Sequence, residues 1–314
     1  MDLETGGLMD LRQLRYFVSV ADSGSISAAA VVLHVAQSAV SRQMLRLEEE
    51  VGGVLFQRSI AGVELTESGH VLLERARFIL REIESATNDV STFSRGMRGT
   101  VRMAAPASAG RALYVPLIQR FHAQFPQVQL ELSDSTTDEM LRSLAAGTLD
   151  LALVTEIEAR EDVVVKPAWR EETLLLAPVG NPICKRKSIA ARDLKQMPII
   201  ISPGLRRIFE ERYGALRPII QIHSSSPAAE LTRSGVGYVV VPKSALSTSD
   251  IWRGLQGVPV RGLDTTRMIA WGKGRPASLA ARALRAAVEQ IVCERIEEKL
   301  FLPVRAKAQV LSQV

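Results

Sequence analysis

Within ten residues stand Gln37, Ser38, Ala39, Ser41, Arg42, Gln43 and Arg46, side chains whose donors, acceptors and small size suit a base edge. An amide or guanidinium pairs bidentately with a purine edge in the major groove, and a serine hydroxyl serves either partner. On a helical wheel Val40, Met44, Leu47 and Val51 form one apolar stripe, while Ser38, Ser41, Arg42, Arg46 and Glu49 project from the far side. The stripe demands a core beneath it, and the polar face is left for something else.

The flanking elements must position that face. Ser27 is placed to cap a short helix through Ala28, Ala29, Ala30 and Leu33, and His34-Val35-Ala36 is long enough only for a tight turn. Two short helices so joined make a helix-turn-helix, whose second helix enters the major groove by its N-terminal residues. An ordinary helical hairpin with a solvated face carries the same spacing. Upstream, Asp10 to Asp22 sets Leu11, Leu14, Phe17, Val18 and Ala21 at helical spacing, and Gly24 stops the helix. Downstream, the third helix ends near Gly52-Gly53. Leu55 to Arg58 and Gly62 to Thr66 then frame a turn in the pattern of a β-hairpin, a wing with Arg58 at its root to meet a phosphate.

Composition bounds the rest. A chain of 314 residues, 46% hydrophobic and 23% charged, is expected to form more than one globular domain. No apolar run approaches the roughly 20 residues of a membrane span, and Met1 to Leu8 has no secretory pattern, so the cytoplasm is the expected location, with Met9 an alternative start. The net charge of +5 suits a polyanion partner, yet Asp10 to Glu67 holds five arginines against seven acids. Bulk charge therefore does not argue for DNA; only placement does. Cys184 and Cys293 lack metal or redox spacing and are expected to be reduced and structural. His34, His70, His122 and His223 show no metal pattern, and no serine, histidine and acid share a local signature, so no metal, cofactor or catalytic residue is expected. Gly235-Val236-Gly237-Tyr238 precedes a strand, whereas a phosphate loop must follow one, and reads as a turn.

Thr66 caps a helix from Glu67 to Phe93 in which Leu72, Ala76, Ile79, Ile83, Ala86 and Val90 recur with heptad spacing. Such a seam pairs with a copy of itself or lies on its own domain, and spacing does not choose. Ser94 to Gly99 breaks the helix. From Thr100 strands and helices alternate: Val101–Ala105, a helix Ala112–Gln124, Val128–Ser133, a helix Thr137–Ala146 and Leu149–Val154. Leu174–Ala177, Ile199–Ile201, Ile219–Ile222 and Tyr238–Val241 predict a second open sheet, Met268–Trp271 one more strand, and Ser278–Lys299 a closing helix returning to the first sheet. A ligand of two such lobes sits in the crevice between them. Ala105–Ala109 and Ile201–Gly204 each follow a strand and open a helix, whose free N–H groups suit a small anion. Turn chemistry alone produces loops of the same composition.

The series Leu14-Arg15-Tyr16-Phe17, Gly24-Ser25-Ile26, Ala29-Ala30, Leu33-His34-Val35-Ala36-Gln37, Ala39-Val40-Ser41-Arg42-Gln43, Leu47-Glu48, Gly52, Leu55-Phe56, Arg58 and Leu65-Thr66-Glu67-Ser68-Gly69 resembles the DNA-binding domain of LysR-type transcriptional regulators, and is similar to their nitrogen-assimilation branch. The resemblance implies a winged helix-turn-helix at 9–67, a dimerising linker helix at 68–96 and a two-lobed α/β periplasmic-binding-protein-like effector domain at 97–302. It implies double-stranded DNA as partner, with Gln37, Ser38, Ala39, Ser41, Arg42, Gln43, Arg46 and Arg58 at the interface. It further implies a homodimer or homotetramer, contact with RNA polymerase, and a small anionic effector held by Ala107, Ser108, Ala109, Ser202, Pro203 and Ser225. The rival from another class is a cytoplasmic small-molecule-binding protein or transferase on the same two-lobed fold, its N-terminal helices only oligomerising. Two departures stand out: Ala36 replaces the family's serine or threonine cap, and Ser38 its proline, so Ser38 is expected to take over the cap. Val31, Val32 and Leu45 are apolar where that face is normally polar, and scattered surface residues of this kind need no function.

Overall fold

The computed structural model describes residues 9–59, 62–157, 160–246, 250–274 and 276–304, in two compact units that divide in sequence between Gly96 and Met97. In the N-terminal unit, helix α1 (Leu11–Ser23) opens on a reciprocal cap: Asp10 Oδ1 accepts from Gln13 N at 2.7 Å and Gln13 Oε1 accepts from Asp10 N at 2.6 Å. Helix α2 (Ile26–Val32) is capped by Ser25, whose hydroxyl accepts from Ala28 N, and not by Ser27. Ser25 has the extended backbone that a cap requires, and Ser27 already lies inside the first turn. A turn with His34 at φ 55° leads to α3 (Gln37–Val51). Strands β1 (Phe56–Ser59) and β2 (Gly62–Leu65) pair antiparallel as the expected wing, and α4 (Glu67–Arg95) begins at the Thr66 cap.

One core gathers these elements: Leu14, Phe17, Val20, Ala29, Val40, Met44, Leu47, Leu55 and Ala76 are buried together, and the Phe17 and Phe56 rings lie 5.2 Å apart. Val51, expected in the stripe, is 42% exposed because it is the last residue of α3, where Gly52 turns the chain in the left-handed conformation. The heptad seam of α4 is divided. Ala76 is fully buried in this core with Leu72 and Ile79 packed against it, whereas Ile83 is half-buried and Ala86 and Val90 are exposed. The front of the helix thus lies on its own domain.

In the C-terminal unit β3 (Gly99–Ala105), α5 (Ala107–Gln124), β4 (Val128–Asp134), α6 (Thr137–Ala145) and β5 (Leu151–Thr155) follow in βαβαβ order. Helix α5 starts at Ala107, five residues before the expected start, because extended Pro106 ends the strand and the small residues after it enter the helix at once. The chain continues through β6 (Val163–Glu171), β7 (Thr173–Pro178), β8 (Ile189–Ala190), β9 (Ile199–Ile201), α7 (Pro203–Tyr213), β10 (Ile220–Gln221), α8 (Ser225–Arg233), β11 (Tyr238–Pro242), β12 (Leu255–Arg261), β13 (Thr265–Gly272) and α9 (Leu279–Glu297). Two sheets result, in the orders β4-β3-β5-β13-β6 and β10-β9-β11-β7-β12-β8. Both are mixed: β13 runs antiparallel to β5 and β6, and β7 antiparallel to β11 and β12. Helix α9 packs on the first sheet and α5, as the closing helix was expected to. The chain crosses between sheets twice, at Glu172 and at Gly262-Leu263-Asp264, and Thr173 Oγ1 donates to Leu263 O at 2.6 Å to tie the crossings together.

The wing also meets the end of α1 through the backbone. Val63 N donates to Gly24 O at 2.9 Å, and a Cβ built on Gly62, at φ 134°, would collide with that same oxygen. Gly62→Ala is therefore expected to strain the turn by about 1–3 kcal/mol. Hydrogen exchange should show this as at least a several-fold loss of protection at the Val63 amide, with the amides of β3 unchanged; equal protection in both proteins would contradict it.

Candidate functional site

The outward face of α3 is unencumbered. Gln37, Ser38, Arg42 and Arg46 are exposed, Ala39, Ser41 and Gln43 half-exposed, and the polar side chains among them make no hydrogen bond or ion pair within the described residues. Four of the seven acids from Asp10 to Glu67 are occupied, while Glu49, Glu64 and Glu67 are exposed. Glu48 accepts from Leu55 N at 2.7 Å and Phe56 N at 3.2 Å, fastening the wing to α3; Glu50 accepts from Gln13 Nε2 at 3.0 Å; Asp22 pairs with Arg77, and Asp10 caps α1. The unfavourable charge count of this unit thus in part reflects acids spent on structure, while Arg42 and Arg46 remain available. Arg58 lies in β1 opposite Val63, and its side chain falls outside the described residues. Ala36 occupies the cap position of α3 with extended backbone and no side-chain hydrogen bond, so Ser38 does not take over the cap. Val31, Val32 and Leu45 are all exposed.

In the two-lobed unit the strand ends converge on a buried ion pair that sequence reasoning missed. Arg267 in β13 donates through Nε to Glu171 Oε1 at 2.5 Å, through Nη1 to Thr155 Oγ1, and through Nη2 to Ser108 Oγ at 2.9 Å. Glu171 Oε2 in turn accepts from Ser244 N, in the turn Lys243–Leu246 after β11, at 3.2 Å. Glu171 is fully buried and Arg267 nearly so. Each stands beside one of the two chain crossings, so a single pair joins both crossings, the first turn of α5 and the second lobe. The signal in the sequence was Arg267 itself, a charge at the inward position of an alternating strand between Thr265 and Ile269.

A second clasp lies on α7. Arg207 Nη2 donates to Thr155 O at 3.1 Å and Glu156 O at 2.9 Å, and Arg212 reaches Glu156 Oε2 at 2.6 Å and Asp264 O at 2.8 Å. Of the expected effector contacts, Ser108 joins the Arg267 cluster, with Ala107 and buried Ala109 in the same first turn of α5. Ser202 instead caps α7, accepting from Leu205 N, and Pro203 follows it at a groove shared with Arg206, Arg207 and Gln221. Ser225 is the first residue of α8. No hydrogen bond brings Ser202 or Ser225 to Ser108. At the N-terminus of α6, Glu139 accepts from Thr136 N, Thr136 Oγ1 and Ser135 Oγ, and these bonds hold its carboxyl down to about 2. Cys184 and Cys293 are free, and Cys293 is exposed rather than structural. Among the described residues no group of side chains is placed to hold a metal, and no helix is long and apolar enough to cross a membrane.

Comparison with known proteins matches two family models along the chain. The model for the bacterial regulatory helix-turn-helix protein, lysR family, matches residues 11–70, and that for the LysR substrate binding domain matches residues 94–292. The chain is 33% identical over 245 residues to the nitrogen assimilation regulatory protein nac of Klebsiella aerogenes, covering 76% of this chain and 79% of that protein. It is 29% identical over 309 residues to the Escherichia coli protein of the same name, covering 96% and 98%. The nitrogen-assimilation resemblance is thereby borne out. Among solved structures, a variant of full-length OxyR from Pseudomonas aeruginosa superposes with a TM-score of 0.70 at 24% identity, over 91% of this chain and 95% of that one. Full-length CbnR complexed with its target DNA gives 0.67 at 24%, over 91% and 99%. These likenesses establish the fold.

Arg267→Ala is expected to destabilise the two-lobed unit by about 3–5 kcal/mol, since it leaves Glu171 buried without its counter-charge. Urea unfolding followed by tryptophan fluorescence measures this, and the pair Arg267→Met with Glu171→Leu should lose clearly less; an equal loss would show that the charge pairing is not what matters. For Glu139 the folded carboxyl titrates below its ordinary 4.5. The order it lends the start of α6 is full above that value and is lost as pH falls towards 2. An NMR titration of the Glu139 carboxyl should find its midpoint at about 2, and a midpoint near 4.5 would contradict the reading.

Proposed function

Because the chain belongs to the LysR family of DNA-binding transcriptional regulators, we propose that it reads its operator with the outward face of α3 and changes its grip when a small ligand enters the crevice beside Ser108. The observation that carries the first half is the free polar face of α3, with Arg42 and Arg46 exposed and Asp10, Glu48 and Glu50 already committed to a cap, the wing and α1. Gln37, Ser38, Ala39, Ser41, Arg42, Gln43 and Arg46 meet base edges and neighbouring phosphates, and Arg58 meets the backbone beside the groove. The rear of α4, with Ile83 half-buried and Ala86 and Val90 exposed, supports pairing with a second copy, while Leu72, Ala76 and Ile79 steady the helix on its own domain. Two such pairs make the homotetramer, working in the cytoplasm, without catalytic activity, and in contact with RNA polymerase. A binding protein or transferase with merely oligomerising helices leaves the unencumbered face of α3 unexplained.

For the second half, the first turn of α5 and the Arg267 guanidinium present two positive features to one place, with Glu171 as the resident counter-charge. A carboxylate-bearing effector at Ala107, Ser108 and Ala109, with Ser202, Pro203 and Ser225 on the facing loops, competes with Glu171 for Arg267. The pair joins both crossings, so a ligand that alters it favours one arrangement of the lobes over another, the differential affinity that a switch requires.

Arg42→Ala is expected to weaken binding to a selected operator duplex by about 1–3 kcal/mol. Arg46→Ala is expected to flatten the dependence of log Kd on log salt by roughly one phosphate's worth. Fluorescence anisotropy across a salt series reads both, and unchanged affinity and slope in the double variant would sink the assignment of the α3 face. Ser108→Ala should blunt the effector response at unchanged basal affinity, and a full response would remove Ser108 from the ligand site.

A further inference from the structure

We propose that Leu45 is a specificity-determining residue that reads the 5-methyl group of a thymine in each half-site, an inference that rests on α3 being the recognition helix. Leu45 is 59% exposed, yet it lies on the face that the core does not use. It follows Ser38 by seven residues, which brings it back to within about 20° of Ser38 around the helix and roughly 10 Å further along it. It stands three residues after Arg42 and four after Ser41, in the same outward stripe, with exposed Arg46 beside it. The buried seam of Val40, Met44 and Leu47 faces the opposite way, so Leu45 has no route into the core without turning the helix over.

An isolated surface leucine needs no explanation by itself. This one is continuous with a nucleic-acid interface, and that narrows what can cover it. The major groove presents donors and acceptors from every base pair and one apolar feature, the thymine methyl, which apolar side chains contact. Base pairs rise by about 3.4 Å, so a stripe running roughly 10 Å from Ser38 to Leu45 spans about three steps. The polar side chains at its start then address the first two pairs, and Leu45 the third. A cytosine there would present only a C5–H where the thymine carries its methyl, and leave the leucine without that contact.

The test uses the full chain and a duplex enriched from a random pool by the wild-type protein, with each thymine replaced singly by deoxyuridine, which removes only the methyl. Wild type is expected to lose about fourfold in affinity at one position of each half-site, the effect of uncovering one methyl group. Leu45→Ala should bind the parent duplex about that much more weakly and be indifferent to the replacement at that position, while Leu45→Met should retain the sensitivity. Circular dichroism should match among the three proteins, as befits an exposed site. Identical deoxyuridine profiles for wild type and Leu45→Ala would overturn the inference while leaving the α3 reading intact. Enrichment of no duplex at all would overturn the reading on which it rests.

Discussion

The apolar seam beneath α3 is the constraint on which the N-terminal unit depends. Val40, Met44 and Leu47 hold the helix against Phe17 and Leu14 of α1, so the remaining two-thirds of its circumference is delivered outward at a fixed angle. A recognition face works only if it is not free to roll, since a rotation of about 100° would exchange Ser38 and Arg42 for Ala39 and Gln43, and a fraction of that would already mis-aim them. Two further attachments prevent rolling. Glu48 binds the first amides of the wing from α3 itself, and Gln13, buried in α1, reaches Glu50 at the far end of the helix. The same contacts ease the charge paradox of the domain: Glu48 and Glu50, like Asp10 and Asp22, are structural ligands, and Arg42 and Arg46 are left exposed on α3.

The two-lobed unit is organised by a different interaction. A buried arginine beside a helix N-terminus is costly unless a carboxylate meets it, and Glu171 does. Such a pair contributes little net stability against an apolar alternative, but it ties four chain segments to one point. Thr155 from β5, Ser108 from α5, Glu171 from β6 and Ser244 from the second lobe all meet Arg267 or its partner. Arg207 and Arg212 repeat the arrangement from α7, using carbonyls at Thr155, Glu156 and Asp264. Both sets gather where the chain crosses between sheets, so a ligand need perturb only this neighbourhood to be felt in both lobes.

How much of this was legible in the sequence follows from the range of the interactions involved. The helices of the N-terminal unit, its wing and the strong strands of both lobes announce themselves through local periodicity and were foreseen. Strands β6 and β12 were not, because Pro167 and Pro259 interrupt them and proline argues against a strand interior. Pro167 is tolerated because β6 is an edge strand with a register shift beside it, a fact that only the finished sheet reveals. The cap of α2 fell to Ser25 rather than Ser27, a two-residue difference that depends on backbone angles. The division of the α4 seam could not be read from spacing, since a heptad that faces its own domain looks like one that faces a twin. The Arg267 cluster left only Arg267 itself as a signal, because its members come from positions 108, 155, 171, 244 and 267 and nothing local connects them.

The central claim, that the outer face of α3 meets DNA, is most directly tested by contact itself. A photocrosslinking side chain placed at Ser38, and as a control at exposed Glu74 on α4, would be irradiated in the full-length protein bound to a labelled operator duplex. The account predicts an adduct from position 38 that maps to bases of the half-site and none from position 74. Efficient crosslinking from 74 with none from 38 would contradict it.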